Sequence, residues 1–408
     1  MIRTRFLDRR TPPHIATLVL IAGLSALNMN MFLPALPAMA ADFASSYATI
    51  QIAISGYLAG TAVLQLIIGP LSDRYGRRPV LLAGIGLFLL ATLVCIAATS
   101  IEIFLVGRLL QTTLIAGLVL SRAIVRDMVP MEEAASMIGY VTMGMTIVPM
   151  IGPVLGGVLS DLFGWQANFV AILAFGLMVM AIVWLDLKET NDNRSSSFAA
   201  QFKAYPELLA SGAFWGYTLT TTFASGVFFA FLGGAPFVGS TLLGMSPTAL
   251  GFYFCFTAFG YMVGNYLSGR YARRIGTGRM MLAGGFITLA GTCITGALFL
   301  AGLETAPAFF APMFFVGVGN GVSLPSANAG IVSVRPHLAG SASGLGGALT
   351  IGGGAFLSAL AGALLTIETG IYPLLAVMAT ASLAGIAATL SIIGADRRLR
   401  TKLAEQRG

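Results

Sequence analysis

Residues 69–78 read Gly69-Pro70-Leu71-Ser72-Asp73-Arg74-Tyr75-Gly76-Arg77-Arg78, a charged turn set between two long apolar runs. Its pattern Leu71-Ser72-x-Arg74-Tyr75-x-Arg77-Arg78 returns 196 positions later as Leu267-Ser268-x-Arg270-Tyr271-x-Arg273-Arg274. A basic turn repeated at matching places in two hydrophobic halves marks an internally duplicated membrane protein.

The rest of the chain fits that reading. It is 57% hydrophobic and 10% charged, where soluble domains carry about 25% charged residues. Mean hydropathy is +0.87. Runs long enough to cross a bilayer fall at 15–37, 47–70, 79–99, 103–126, 134–159, 166–185, 211–237, 248–269, 279–301, 306–330, 339–365 and 371–394. The expectation is an all-α membrane protein of twelve helices in two pseudo-symmetric bundles. Residues 1–185 form the first bundle, 186–210 a polar linker, and 211–408 the second bundle with a short basic tail. The first run is too long for a cleaved signal peptide, and the apolar pattern continues after it. Two rigid halves that can rock against one another suit a transporter.

The net charge of +7 does not point to nucleic acid, because of where it lies. Arg3, Arg5, Arg9 and Arg10 precede the first run, and Arg397, Arg398, Arg400, Lys402 and Arg407 follow the last. Further basic residues fill the 69–78 turn and its copy. The six opposite loops hold no Lys or Arg, only Asp42, Glu102, Asp161, Glu304 and Glu368. This asymmetry predicts that both termini are cytoplasmic. Cys95, Cys255 and Cys293 lie inside apolar runs without metal-like spacing, and His14 and His337 are the only histidines. No metal site is expected. Asn191-Asp192-Asn193-Arg194-Ser195-Ser196-Ser197 has linker composition. Phe198, Phe202 and Tyr205 around Lys203 suggest a short surface helix.

The chain resembles the major facilitator superfamily, and more narrowly the drug:proton antiporters of the bicyclomycin/chloramphenicol resistance (Bcr/CflA) type. Four segments carry the resemblance. The first is the 69–78 turn, where Gly69 and Gly76 let backbone pass closely. The resemblance implies that Asp73 faces the N-terminal end of helix eleven and that Arg77 pairs with Asp127. Together with Arg74 and Arg78 these would latch one conformation. A merely topogenic basic turn is the plainer alternative. The second copy has Gly269 in place of the acid and Ala272 in place of the glycine, so only the first half keeps the whole pattern. The second segment is Arg108-Leu109-Leu110-Gln111. Arg108 lies about 9 Å inside its span at 1.5 Å per residue, and an arginine at that depth is costly unless it has a partner or a cavity. The resemblance ties it to proton coupling; snorkelling to the surface is the alternative. The third is Gly144-x4-Pro149-x2-Gly152-Pro153-x2-Gly156-Gly157, similar to the antiporter signature. Its prolines bend the helix, and its glycines flatten a surface for the other half. The glycines 352–354 read as ordinary packing. The fourth pairs Asn30-Met31-Phe32-Leu33-Pro34-Ala35-Leu36-Pro37 with Gly226-x-Phe228-Phe229-Ala230-Phe231.

One departure matters. Relatives of this type commonly carry an aspartate where this chain has Asn30, and all sixteen acids fall in loops, tails or helix ends. Asn30 can hydrogen-bond but cannot titrate. Coupling then runs through Asp73 and Asp127, or uses another peripheral acid, or is absent, with neutral or anionic cargo favoured by Arg108. Asn28, Asn30, Tyr57, Gln111, Phe228, Phe231, Phe256, Asn320 and Asn328 are the candidate cavity residues: apolar and aromatic lining with a few amides suits lipophilic ligands. For each aromatic, core packing is the plainer alternative. The resemblance implies a monomeric efflux carrier of a bacterial inner membrane that moves small molecules such as antibiotics, with a proton as coupling ion and no cofactor. Export of one endogenous metabolite or siderophore keeps the same fold. A membrane enzyme or sensor would need clustered acids, histidines or an output domain, and the sequence has none; nor has it an ATP-binding Gly-x4-Gly-Lys-Ser/Thr loop.

Overall fold

In lipid, backbone polar groups must be satisfied within the segment that carries them, so apolar runs fold as helices. The computed structural model describes residues 6–9, 11–128, 148, 150–191 and 205–405, and among these residues there is helix and no strand. In chain order the helices are α1 (Ile15–Asp42), α2 (Tyr47–Tyr75), α3 (Arg77–Ile96), α4 (Ile101–Val125), α5 (Met150–Phe163), α6 (Gln166–Asp186) and α7 (Gly212–Leu242). Then come α8 (Pro247–Ile275), α9 (Thr277–Leu300), α10 (Ala306–Ser333), α11 (Ala339–Leu364) and α12 (Tyr372–Ala395). Among the described residues ten are long and apolar enough to cross a membrane, Met150–Phe163 is a shorter apolar helix, and α8 has 29 residues. The 134–147 part of the expected fifth run and the expected surface residues Phe198, Phe202 and Lys203 lie outside the described residues; Tyr205 of the same expectation opens a short helix, Tyr205–Leu209, with Tyr205 and Leu208 buried.

Helix starts follow local chemistry. Ser46, Ser100, Ser211 and Thr305 each accept a hydrogen bond from a first-turn backbone N–H through the side-chain oxygen, which satisfies an otherwise orphaned donor. His14 does the same for α1 through Nδ1, which accepts from Ala16 N at 3.2 Å.

Helix ends correct the expected turn. The second run was expected to stop at 70, yet α2 continues through Asp73 and Arg74 to Tyr75. The charged decapeptide is therefore mostly helix, and the turn shrinks to Gly76, with φ 105°. Gly69 lies inside α2, where an added Cβ would meet nothing within 4 Å among the described residues. The second half repeats this geometry four residues later than the sequence repeat. Another 29-residue helix, α8, ends at Gly276 with φ 89°. The helix-ending glycine is thus present in both halves, and the expected counterpart Ala272 is not the turn residue. Arg270, Arg273 and Arg274 fall in the last turns of α8, where a helix C-terminus favours cations.

Contact clustering sorts the chain into two units, Met1–Phe202 with Gly239–Cys255, and Lys203–Val238 with Phe256–Gly408. In the first, α1, α3, α4 and α6 share an apolar core that includes Leu18, Ile21, Phe88, Leu120 and Ile172. Its far end is closed by rings: Trp165 packs against Phe43, Phe104 and Phe169 and donates Nε1–H to Asp42 at 2.7 Å. In the second, α7 packs on α11 and α12, and α9 on α10. There Gly260 and Gly264 of α8 meet the backbone of Phe314 and Val318, while Gly317 and Gly321 of α10 meet that of Thr257 and Tyr261. Glycines four apart on both helices let two backbones touch. The expected packing role of the 352–354 glycines agrees with Gly353 against Thr222 and Gly354 against Phe229.

Candidate functional site

The α2–α3 junction gathers charge around Arg77, the first residue of α3. Its guanidinium forms ion pairs with Asp73, one turn earlier in α2, and with Asp127 Oδ2 at 3.1 Å, and also donates to Ser72 Oγ. Arg74 and Arg78 diverge: Arg74 stacks on Tyr75 and Arg78 on Trp184. A further carboxylate, Glu189, seals the junction from beyond α6. It accepts from the backbone N–H of Arg77 (2.8 Å), Arg78 (3.3 Å), Thr190 (3.1 Å) and Asn191 (3.0 Å). An acid at a helix N-terminus meets orphan donors and the positive end of the helix dipole. Any side chain at Gly76 would collide with that carboxylate. Asn191 Nδ2 donates to Asp73 O at 3.0 Å, and Thr190 Oγ1 donates to Asp127 Oδ2 at 3.2 Å. Sequence reasoning missed Glu189, Thr190 and Asn191 because they sit in a stretch of linker composition. The usable signal is an acid placed just past the end of an apolar run.

Deeper in the same unit, Arg108 lies in the last turn of the first α-helical stretch of α4, which ends at Leu110 before a 3₁₀ turn at Gln111–Leu114. It is 1% exposed, so it does not snorkel. Its Nη1 donates to Asn28 Oδ1 at 3.2 Å and to Gln111 Oε1; its Nε donates to Ala53 O at 3.3 Å. Its Cζ lies 4.3 Å from the Phe32 ring centre and 4.8 Å from that of Tyr57. Gln111 passes the network on by donating Nε2–H to Thr92 Oγ1 at 2.8 Å. Arg108 forms no ion pair with a described residue. The sequence-predicted Arg108, Asn28, Gln111 and Tyr57 are thus one constellation. Asn30 stands apart: its Nδ2 donates to Ala26 O of its own helix at 2.7 Å.

Other expected site residues are scattered. Gly144 and Pro149 lie outside the described residues. Gly152 and Gly156 were expected to flatten a surface for the other half; instead they face α1, where a Cβ on Gly156 would strike Met31 O. Gly157 meets Pro247 O, and Pro153 O meets Gly251, both in the part of α8 that clusters with this unit. In the second unit Phe231 is fully buried against Phe309 and Phe310. It is a packing residue, not a cavity wall. Phe228 is half-buried, while Phe256 and Asn328 are exposed. Asn320 is 1% exposed, and both amide atoms lack a partner among the described residues. Eight residues advance a helix by about 80° beyond two full turns, so Asn320 and Asn328 point to different surroundings.

Residues 18–359 match the family model described as Major Facilitator Superfamily. The chain belongs to the major facilitator superfamily. It is 32% identical over 379 residues to the uncharacterized MFS-type transporter YdgK of Bacillus subtilis, covering 90% of this chain and 92% of that one. It is 31% identical over 332 residues to a chloramphenicol resistance protein of Pseudomonas aeruginosa, covering 80% and 78%. It is 27% identical over 357 residues to multidrug resistance protein D of Escherichia coli, covering 84% and 86%. Its fold is similar to that of a bacterial homolog of the human lysosomal transporter Spinster, solved inward-facing and unoccupied. That match has a TM-score of 0.68 at 18% identity, and covers 93% of this chain and 94% of that one. Within the superfamily the resemblance is to the Bcr/CflA drug-efflux type, and the role is membrane transport, not catalysis.

Proposed function

We propose that this chain is a secondary active exporter that carries lipophilic or amphipathic small molecules across the bacterial inner membrane by alternating access, in exchange for protons. The observation that carries the reading is Arg108, a buried cation solvated by amide oxygens, a carbonyl and two ring faces, with no carboxylate partner among the described residues. A buried charge left without a counter-ion in a membrane-spanning helix marks a working site. Names of relatives, among them the chloramphenicol and multidrug resistance proteins, support drug-like cargo. In this reading Asn28, Gln111 and Tyr57 orient Arg108. Asp73, Arg77 and Asp127 act as a gate at the cytoplasmic end and supply the titratable carboxylates. Both termini are cytoplasmic, the carrier works as a monomer, and no cofactor takes part.

Asn30 favours a second reading. Its amide is spent on its own helix and cannot titrate, which suits export of one neutral or anionic metabolite without proton exchange. Proteoliposomes with an internal pH dye separate the two, challenged with phenicols, lipophilic cations and neutral antibiotics. Substrate-triggered proton movement that is lost in Asp73→Asn or Arg108→Ala supports antiport through the gate. Flux without a pH response rejects proton coupling. An Asn30→Asp variant that then gains a pH response would tie the difference to that position.

A further inference from the structure

The corner where α3 begins and α6 ends holds three cations, of which only Arg78 enters the expected latch. Arg9, Arg78 and Lys188, with Pro79 and Glu189, line an open surface pocket of about 320 Å³. Both guanidinium groups stack on the one indole of Trp184, with Cζ at 5.2 Å for Arg9 and 5.0 Å for Arg78. Like charges held together repel one another. Among the described residues Glu189 is the only carboxylate on the wall, and backbone N–H groups occupy both its oxygens. None of the three cations forms an ion pair with a described residue. Arg78 Nε and Nη2 are covered from solvent and have no hydrogen-bond partner among the described residues. Covered donors of a charged group are costly to leave unmade.

The arm that brings Arg9 here is deliberately held. Asp186, fully buried at the end of α6, accepts from Leu7 N at 2.8 Å, His14 N at 2.9 Å and Thr17 Oγ1 at 2.6 Å. Arg9 Nε donates to Trp184 O. One buried carboxylate thus pins the segment before α1 against α6 and sets Arg9 beside Arg78.

We infer that this corner binds a phosphate group, either the headgroup of an acidic phospholipid in the surrounding leaflet or a soluble phosphate in the adjoining water. A guanidinium fork matches two phosphate oxygens at once, and basic pockets at the ends of membrane helices suit acidic headgroups. Trp184 and Leu185 are 54% and 50% exposed. A tryptophan at the end of a span sits at headgroup depth, so a lipid held by its phosphate has an apolar surface beside it for its chains.

Trp184 also reports on its own site. In the full-length Trp215→Phe protein it is the exposed indole, since Trp165 is buried. Brominated phosphatidylglycerol is expected to quench it several-fold more effectively than brominated phosphatidylcholine. Arg9→Gln with Lys188→Gln should weaken that preference by about fivefold per cation removed. Arg9→Gln alone serves if the double variant does not fold. Displacement of the lipid by inorganic phosphate, and not by chloride at equal ionic strength, assigns the site to a soluble phosphate. Persistence of quenching assigns it to the lipid. Equal quenching by both lipids, with no effect of inorganic phosphate on quenching or on the unfolding temperature, overturns the inference.

Discussion

Arg108 keeps its charge in the interior with acceptors that carry no charge of their own: Asn28, Gln111 and the Ala53 carbonyl. Arg108→Met orphans those buried acceptors, at about 1–3 kcal/mol for each left unsatisfied, so it is expected to lower the unfolding temperature by a few degrees while abolishing efflux, whereas Arg108→Lys keeps the charge and should retain part of the transport. A variant that melts well below the parent and still transports would make Arg108 a structural residue. The sequence made Arg108 visible, since an arginine inside an apolar run stands out by itself. Glu189 was not visible. Its main partners are backbone N–H groups 112 and 111 residues away, and a backbone donor leaves no trace in residue type. Phe231 was misplaced for a related reason: an aromatic residue in an apolar helix reads the same whether it lines a cavity or packs on Phe309 and Phe310.

At the level of elements, apolar runs located the helices, but polar residues did not end them. Membrane helices continue into the interfacial layer, so Asp73 and Arg74 are helical although they lie past the apolar run. A glycine with positive φ ends each of the paired helices, and these glycines are 76 and 276, not the 76 and 272 that side-chain similarity aligns. The first has a carboxylate where a Cβ would go; the second has nothing within 4 Å. Gly276→Ala should cost only the backbone strain of a conformation, φ 89° and ψ 149°, that glycine alone adopts readily, about 1–3 kcal/mol. Gly76→Ala should cost more, because it also expels Glu189 from the helix end. Unfolding temperatures of the two variants test this; equal drops would deny Glu189 its part. Along the α8–α10 seam, Gly317→Val drives a side chain into Thr257 O and should reduce folded yield sharply. Gly340→Ala, with open space around it, should not. Density of glycine pointed elsewhere, to the fifth and eleventh runs. Spacing by four on two facing helices is the better sign of contact.

For the whole molecule, the repeat, the low charge and the apolar runs together made an all-helical duplicated membrane protein legible, and the family model covers residues 18–359. Basic residues on alternate connections carry the expectation about orientation. Alkaline phosphatase fused after Gly408 should be inactive and green fluorescent protein fused there should fluoresce, with the opposite pattern for fusions in the loop at Glu304. An active phosphatase at the C-terminus would reverse the orientation. Contact clustering groups Gly239–Cys255 with the first six helices, which no property of that segment's sequence announces; Gly157 against Pro247 and Gly251 against Pro153 account for it.

The carboxylate that caps α3 also bears on how the protein is made. The first backbone N–H of α3 is emitted by the ribosome 112 residues before Glu189, its acceptor. At about 5–20 residues per second, that donor waits on the order of ten seconds, through the insertion of three further helices, before its partner exists. The α2–α3 junction is thus among the first parts of the chain to be synthesised and among the last of its half to close. A nascent chain arrested at 186 should leave this junction open to proteolysis, and one arrested with Asn191 clear of the ribosome should protect it.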